Sequence, residues 1–199
     1  MSYSIIGFGP VGQALAQAFA RKNIDVIVAS RRAPEALMPQ AQAIGPSIRP
    51  KTLKEAFAAD TIFLAVPFRE HREVAKQLAT WQGKTIIDTT NAYGIPAAEL
   101  EGLPSSALVS KAFTGATLVK GFNHLPAAAL AADPNVNGGR RVVFLSSDDE
   151  AAVAPVAELA QQLGFAPVAL GRFEEGGALV HAKGNTWGKL IFNDFIKIK

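Results

Sequence analysis

The feature that most constrains the fold of this chain is a glycine-rich turn near its first residue. Gly7-Phe-Gly9-Pro-Val-Gly12 follows an apolar run at residues 3–6 and precedes an alanine-rich stretch at residues 10–22. A G-x-G-x-x-G set between a strand and a helix is typical of the first βαβ unit of a dinucleotide-binding sheet. The turn therefore predicts both a fold class and a ligand class.

Each glycine has a separate physical role in such a turn. Gly7 allows the tight bend, Gly9 lets the backbone approach a pyrophosphate, and Gly12 lets the helix pack closely on the strand. The amino end of the helix offers N–H groups and a partial positive charge to phosphates. We predict that the following residues bind the dinucleotide here: Gly7, Phe8, Gly9, Pro10, Val11 and Gly12.

The rest of the chain repeats the alternation of short β-branched runs with longer helical stretches. This pattern, and the fully apolar run at residues 61–66, predict an α/β, Rossmann-type, doubly wound and mainly parallel sheet with helices on both faces. We expect a dinucleotide-binding Rossmann domain over residues 1–171 and a short appendage over residues 172–199 that closes a dimer or the acceptor site. The pattern also predicts a helix over residues 70–81, whereas residues 184–199 fit no element.

Composition excludes several classes of protein. The 199 residues contain no cysteine and three histidines, which excludes disulfide scaffolds, zinc ribbons and thiol catalysis and leaves little for a metal site. The net charge of +3 is too mild for a nucleic-acid binder, and no apolar run approaches the roughly 20 residues that span a bilayer. We expect a cytoplasmic protein that binds neither nucleic acid nor membrane.

The end of the second predicted strand indicates which dinucleotide is bound. An NAD site usually has Asp or Glu there to bind the ribose 2′-hydroxyl, but this chain has Ser30, Arg31 and Arg32. A carboxylate would repel a 2′-phosphate, whereas a hydroxyl and guanidinium groups can bind it. We therefore predict NADP(H) rather than NAD(H), against the alternative that both arginines are simply solvated on a loop.

Two further strand ends carry candidate residues for the nicotinamide half. Ala65-Val66-Pro67 ends the fourth predicted strand, and Asp88-Thr-Thr-Asn91 ends the next one. Dinucleotides lie outside the carboxyl ends of the strands, which makes both segments candidates for the site. The polar segment ending at Asn91 is equally typical of an Asx or Ser/Thr turn, so both interpretations stay open.

Asn123 and His124 are the candidate catalytic residues, because they follow another predicted strand end. A lone histidine is more often structural, but His124 is the one histidine at a strand end of this kind. The chain lacks a Tyr-x-x-x-Lys pair that would protonate a ketone. A flavin or deazaflavin accepts hydride at a ring and takes its proton from water, so this absence favours such an acceptor.

Several segments together resemble the NADP oxidoreductases that depend on the deazaflavin coenzyme F420. That family is related to the cytosolic NADPH-binding domain of six-transmembrane ferric and cupric reductases. The matching segments are Ile5-Ile-Gly7-Phe-Gly-Pro-Val-Gly12, Ala29-Ser-Arg31, Ala65-Val-Pro67, Ile86-Ile-Asp88-Thr-Thr-Asn91, Val119-Lys-Gly-Phe-Asn123 and the stretch from Gly164 to Gly171. The resemblance implies that Phe122 and Asn123 line the nicotinamide and acceptor face and that a second subunit completes the site as a homodimer. His124 departs from the family pattern, in which small or hydroxyl residues are usual.

Three hypotheses about function follow. The first is an NADPH-dependent oxidoreductase that transfers a hydride between NADP(H) and a small-molecule acceptor of the flavin or deazaflavin type, such as FMN, FAD or F420, and on to a metal such as ferric iron. The second is a small carbonyl or imine reductase in which His124 donates the proton. The third is a redox sensor that binds NADPH without chemistry.

Overall fold

The computed structural model describes residues 1–198, which form one large sheet, one two-stranded sheet and seven α-helices. The strands are β1 (Tyr3–Ile6), β2 (Val26–Ala29), β3 (Ile48–Pro50), β4 (Thr61–Leu64), β5 (Thr85–Asp88), β6 (Thr117–Gly121), β7 (Asn135–Val136), β8 (Gly139–Ser146), β9 (Ala166–Ala169), β10 (Ala182–Lys183), β11 (Thr186–Trp187) and β12 (Ile196–Lys197). The helices are α1 (Pro10–Arg21), α2 (Pro34–Ile44), α3 (Leu53–Ala56), α4 (His71–Ala75), α5 (Ser105–Ala112), α6 (Ala127–Ala131) and α7 (Val153–Gln162).

The large sheet has the strand order of a doubly wound nucleotide-binding fold. Strands β3, β2, β1, β4, β5 and β6 lie side by side in that order and are all parallel. The order reverses between β1 and β4, which is the switch point where doubly wound folds bind dinucleotides. The predicted Rossmann-type fold is confirmed. Beyond β6, the antiparallel β8 extends the sheet.

Both faces of the sheet are covered by hydrophobic cores. On one face Phe19 packs edge-on against Phe63, with the ring centroids 5.6 Å apart. On the other face Phe57 packs against Trp81 in the same manner at 5.3 Å. Because neither face of the parallel strands meets water, their apolar runs are continuous rather than alternating.

The helix predicted over residues 70–81 is shorter than expected. A single 3₁₀ turn covers Phe68–Glu70, and the α-helix that follows ends at Ala75. The indole Nε1–H of Trp81 donates to the carbonyl oxygen of Ala75 at 2.9 Å, so a side chain takes the acceptor that a continuing helix would use. The indole is buried between two phenylalanine rings, which fixes this interruption.

The carboxy-terminal segment joins the main sheet. Strand β12 pairs antiparallel with β8, and the Val142 N–H donates to the carbonyl of Phe195 at 2.7 Å. The guanidinium Nε of Arg141 also donates to the Asp194 carboxylate at 2.8 Å. Residues 184–198, which fit no element in the sequence pattern, therefore include one strand of the large sheet, and Lys199 lies outside the described residues.

No helix in residues 1–198 is both long enough and apolar enough to cross a membrane.

Candidate functional site

An open cleft with a volume of about 590 Å³ lies at the carboxyl ends of β1, β2, β4 and β5. This is the position that the strand order predicts for a dinucleotide, and the volume falls in the usual range for cofactor sites. Ten of the predicted cofactor residues line it: Gly7, Gly9, Pro10, Val11, Ser30, Arg31, Ala65, Val66, Pro67 and Asn91. The cleft thus joins four segments that are far apart in the sequence.

The three glycines of the turn have the surroundings that their predicted roles require. Gly7 has φ +100°, and a Cβ there would lie 2.2 Å from the carbonyl oxygen of Ala65. A Cβ at Gly12 would lie 2.0 Å from the carbonyl oxygen of Gly7, so the helix packs directly on the turn. A Cβ at Gly9 would meet nothing within 4 Å. Gly9 therefore borders open space, where a ligand can approach the backbone.

The helix that starts at this turn has no side chain capping its amino end. Gly9 is the N-cap of α1, Pro10 is the first helical residue, and no acidic residue lies in the first turn. The first N–H groups of a helix have no partner within the helix and carry a partial positive charge. These groups suit a pyrophosphate, so the residues present fit the dinucleotide that the turn implies.

Ser30 and Arg31 lie in the cleft wall at the end of β2, whereas Arg32 does not. The Arg31 side chain is 82% exposed, and its Nη2 lies 3.0 Å from Oε1 of Glu70, another residue of the wall. The Arg32 Nη2 instead donates to Gln40 of α2 at 3.4 Å. The predicted 2′-phosphate site thus holds one arginine with its guanidinium at the cleft.

Asn91 and Asn123 form a pair of amide side chains across the ends of β5 and β6. The Asn91 Nδ2 donates to the carbonyl of Asn123 at 2.9 Å, and the Asn123 Nδ2 donates to Oδ1 of Asn91 at 3.0 Å. The Asn123 Nδ2 also donates to the carbonyl of Val180 at 2.7 Å. Asn91 lines the cleft, while Asn123 lies buried behind the cleft wall. The hydrogen bonds of Asn123 therefore connect Asn91 to the carboxy-terminal segment.

Arg32 and Asn123 are not the only predicted site residues that lie away from the cleft wall. Four more do so: Phe8, Gly12, Phe122 and His124. Phe8 and Phe122 are core residues. The Phe122 ring packs edge-on against Phe63 and Phe165, with centroids 5.5 and 6.0 Å apart. The backbone of Phe122 has φ +61°, a conformation that residues other than glycine rarely adopt.

The His124 ring is fully buried against Phe144, with the ring centroids 4.7 Å apart. Neither ring nitrogen has a hydrogen-bond partner among the described residues. Burial lowers the pKa of His124 to about 4, so the imidazole is neutral at neutral pH. The structure does not bring this predicted proton donor to the cleft.

A buried polar network lies behind the cleft wall and was not predicted. The Asp88 carboxylate accepts hydrogen bonds from the backbone N–H and hydroxyl of Thr90 at 2.9 and 2.7 Å, from Ser106 Oγ at 2.6 Å and from Lys120 Nζ at 3.1 Å. Burial raises the pKa of Asp88, but the Lys120 ammonium and these hydrogen bonds outweigh it and hold the pKa below its ordinary value. Burial lowers the pKa of Lys120.

This network also reaches the carboxy-terminal segment through His181. The His181 Nε2 lies 3.1 Å from Ser106 Oγ, and its Nδ1 lies 2.7 Å from the carbonyl oxygen of Gly177. Burial, assisted by the charge of Lys120, lowers the pKa of His181 to about 4. Asp88 and Lys120 are opposite each other in the β5–β6 register, so strand pairing was the one signal that could have linked them.

Within residues 1–198, no group of three or more His, Cys, Asp or Glu side chains is placed to hold a metal ion.

Comparison with known proteins gives a consistent picture. Residues 2–92 match the family described as coenzyme F420-dependent NADP oxidoreductases. The chain is 33% identical over 175 residues to the metalloreductase STEAP3 of Rattus norvegicus, an alignment that covers 84% of this chain and 33% of that protein. The chain thus spans about a third of the length of this curated relative.

Two solved structures are similar over most of the chain. A hypothetical protein, SMa0349, from Sinorhizobium meliloti is 38% identical with a TM-score of 0.90, covering 99% of this chain and 96% of that one. A structure described as a putative F420-dependent NADP-reductase from Arthrobacter sp. FB24 is 25% identical with a TM-score of 0.70, covering 87% and 86% of the two chains. The similarity to the first of these structures therefore extends over nearly the whole chain.

Proposed function

We propose that this chain, whose residues 2–92 match the family of F420-dependent NADP oxidoreductases, transfers a hydride between NADP(H) and a flavin or deazaflavin-type acceptor. The predicted resemblance to this family is confirmed over residues 2–92, and the relatives described as an NADP-reductase and a metalloreductase support an NADP-dependent oxidoreductase. The main support for this hydride transfer is the set of residues that line the cleft. It joins the glycine turn to Ser30 and Arg31 at one end and to Asn91 at the other.

Within this proposal, each wall of the cleft binds a different part of the cofactor. The turn and the start of α1 would hold the pyrophosphate, while Ser30 and Arg31 would bind the 2′-phosphate. Residues 65–67 and Asn91 would lie along the nicotinamide half. When bound, NADPH supplies the hydride. The protein binds the cofactor and orients it for the transfer.

The side chains of the cleft support an acceptor that needs no proton from the protein. Among the described residues that line it there is no histidine, tyrosine or lysine; the ionisable ones are Arg31, Glu70 and Glu73. A ketone or imine needs a positioned acid at the reacting atom, whereas a flavin ring takes its proton from water. The buried position of His124 also speaks against the carbonyl reductase hypothesis.

One relative supports the same acceptor class, and another suggests a further step. One is described as an F420-dependent NADP-reductase and another as a metalloreductase. Within this proposal, ferric iron is a final substrate that receives electrons from the reduced flavin.

The decisive experiment is anaerobic oxidation of NADPH by the purified protein with FMN, FAD or F420, and with NADH as the paired control. We expect turnover with NADPH and at least one ring acceptor, and little with NADH. The Gly9→Ala variant, which places a methyl group at the pyrophosphate position, shows whether turnover uses this cleft. Binding of NADPH without turnover on any ring acceptor would overturn the proposal and favour a sensor, while turnover on a ketone or imine alone would favour the carbonyl reductase.

We also propose that the protein acts as a homodimer in which the partner covers the nicotinamide end. Tyr93, two residues after Asn91, is half-exposed and stacks on Trp187, and Phe192 beside it is exposed. A nucleotide domain that leaves its nicotinamide open to water is poorly suited to hydride transfer. Light scattering at micromolar concentration tests this, because a monomer would contradict it.

A further inference from the structure

A carboxylate stands where the cofactor's 2′-phosphate is expected to bind. Glu70 lies in the cleft wall, and its Oε1 is 3.0 Å from the Nη2 of Arg31. No other side-chain hydrogen bond of Arg31 occurs within residues 1–198. The donor that a 2′-phosphate would use is therefore already paired with a negative charge inside the same cleft.

The position of this carboxylate is fixed by its neighbours. The backbone N–H of Glu70 donates to the carbonyl of Pro67 at 2.8 Å, which closes the 3₁₀ turn after β4. Phe68 and His71, on either side of Glu70, are both buried. The backbone therefore cannot carry Glu70 away from the cleft, and only rotation of the side chain can separate it from Arg31.

We propose that Glu70 is a specificity-determining residue that competes with the 2′-phosphate of NADP(H) for Arg31 and so sets the affinity for this cofactor. The proposal rests on the proposed function, because it needs Arg31 as the phosphate ligand. When NADPH binds, the guanidinium exchanges the carboxylate for the phosphate, and the carboxylate repels the incoming dianion. NADH has no 2′-phosphate and requires no exchange.

This competition has a purpose in a hydride-transfer enzyme. The oxidised cofactor must leave in every turnover, and product release limits the rate of many enzymes. A carboxylate that recaptures Arg31 weakens the hold on the 2′-phosphate of the product as well as that of the substrate. Glu70 thus lowers affinity while Ser30 and Arg31 keep the preference for NADP(H) over NAD(H).

The test compares Glu70→Gln with Glu99→Gln by fluorescence titration of NADPH and NADH. Glu99 forms a similar ion pair with Arg69 at 3.1 Å but does not line the cleft, so its variant removes the same charge elsewhere. We expect Glu70→Gln to lower the Kd for NADPH about two- to fivefold relative to Glu99→Gln, as expected for a partly exposed charge pair. The gain for NADPH should exceed any gain for NADH and should shrink as salt screens the charges.

An unchanged Kd for NADPH in Glu70→Gln overturns the proposal. A raised Kd overturns it too, because it would mean that Glu70 orients Arg31 for the phosphate. Repeating the substitution in an Arg31→Ala background isolates the competition, since the gain should then become smaller. An equal gain in that background would also contradict competition for Arg31.

The same variants separate this inference from the proposed function. If Arg31→Ala removes the preference for NADPH but Glu70→Gln has no effect, only the role of Glu70 is wrong. If Arg31→Ala leaves the preference intact, the assignment of the 2′-phosphate site itself is wrong.

Discussion

The ammonium of Lys120 lies 3.1 Å from the carboxylate of Asp88, and both side chains are fully buried directly behind the cleft wall. Lys120 also donates to the carbonyl of Thr90, a residue that lines the cleft. Buried charges are costly unless they are paired and hydrogen-bonded, and here the carboxylate also accepts bonds from Thr90 and Ser106. The ion pair therefore holds the loop after β5 in the conformation that forms one wall of the cleft.

Replacing Lys120 by Met should destabilise the fold strongly. The variant leaves the Asp88 carboxylate buried without its opposite charge, which typically costs about 3–5 kcal/mol. Urea unfolding measures the loss. The control is Lys76→Met, because Lys76 pairs with Glu73 on the exposed surface and should contribute less than about 1 kcal/mol. Similar losses of unfolding free energy in the two variants would show that the buried pair contributes no more to stability than an exposed one.

Replacing Gly9 by Ala should weaken cofactor binding while leaving the fold stable. A Cβ at Gly9 meets no protein atom within 4 Å, so it projects into the space assigned to the pyrophosphate. We expect the Kd for NADPH to rise by about tenfold or more, equivalent to 1.4 kcal/mol, as measured by calorimetry. Thermal unfolding should change little.

The contrasting variant is Gly12→Ala, whose Cβ would lie 2.0 Å from the carbonyl oxygen of Gly7. Overpacking of this kind costs about 1–3 kcal/mol and should lower the melting temperature. A stable Gly12→Ala variant together with an unfolded Gly9→Ala variant would reverse the roles given to the two glycines.

The parts of the site that could be predicted are those formed by residues that are contiguous in the sequence. The glycine turn and the Ser30-Arg31 pair have local signatures, since a tight turn and a strand end each depend on a few neighbouring residues. The cleft brings these segments together because parallel strands end at one edge of the sheet. Glu70 had no such signature, as nothing local indicates that a residue after β4 faces the end of β2.

Other features depend on contacts between distant segments. His181 reaches Asp88 only through Ser106, so three separate elements must be placed before the network is visible. Phe122, two residues before His124, has a positive φ, which nothing in the sequence indicates for a phenylalanine. The sequence therefore indicates the strand end but not the face of the protein on which His124 lies.

Replacing Arg31 by Ala should weaken NADPH binding far more than replacing Arg32. Arg31 lines the cleft, whereas the Arg32 guanidinium contacts Gln40 of α2. Hydrogen bonds to charged groups contribute about 1.5–3 kcal/mol, so the Kd for NADPH should rise roughly 10- to 100-fold in Arg31→Ala. Titration with NADH is the control, and equal losses for the two cofactors would contradict the 2′-phosphate assignment.

Acid should destabilise the protein through its buried histidines. Burial lowers the pKa of both His124 and His181 to about 4, whereas the unfolded chain takes up a proton near pH 6.5. Between these values the unfolded state binds more protons, so stability falls as pH decreases from about 6.5 towards 4. Each histidine should contribute a loss of roughly 2 kcal/mol between pH 7 and pH 5.

The variant that isolates one contribution is His124→Leu. Its apolar side chain replaces a ring whose nitrogens have no partner within residues 1–198, and it cannot be protonated. Any strain from the substitution is present at both pH values, so urea unfolding at pH 7 and pH 5 reports the proton effect as a difference. We expect the loss of stability over this interval to be about 2 kcal/mol smaller in the variant than in the parent protein. An identical loss in both would mean that His124 is protonated in the folded protein as readily as in the unfolded chain, and its buried, unpartnered ring would then need an access route for water.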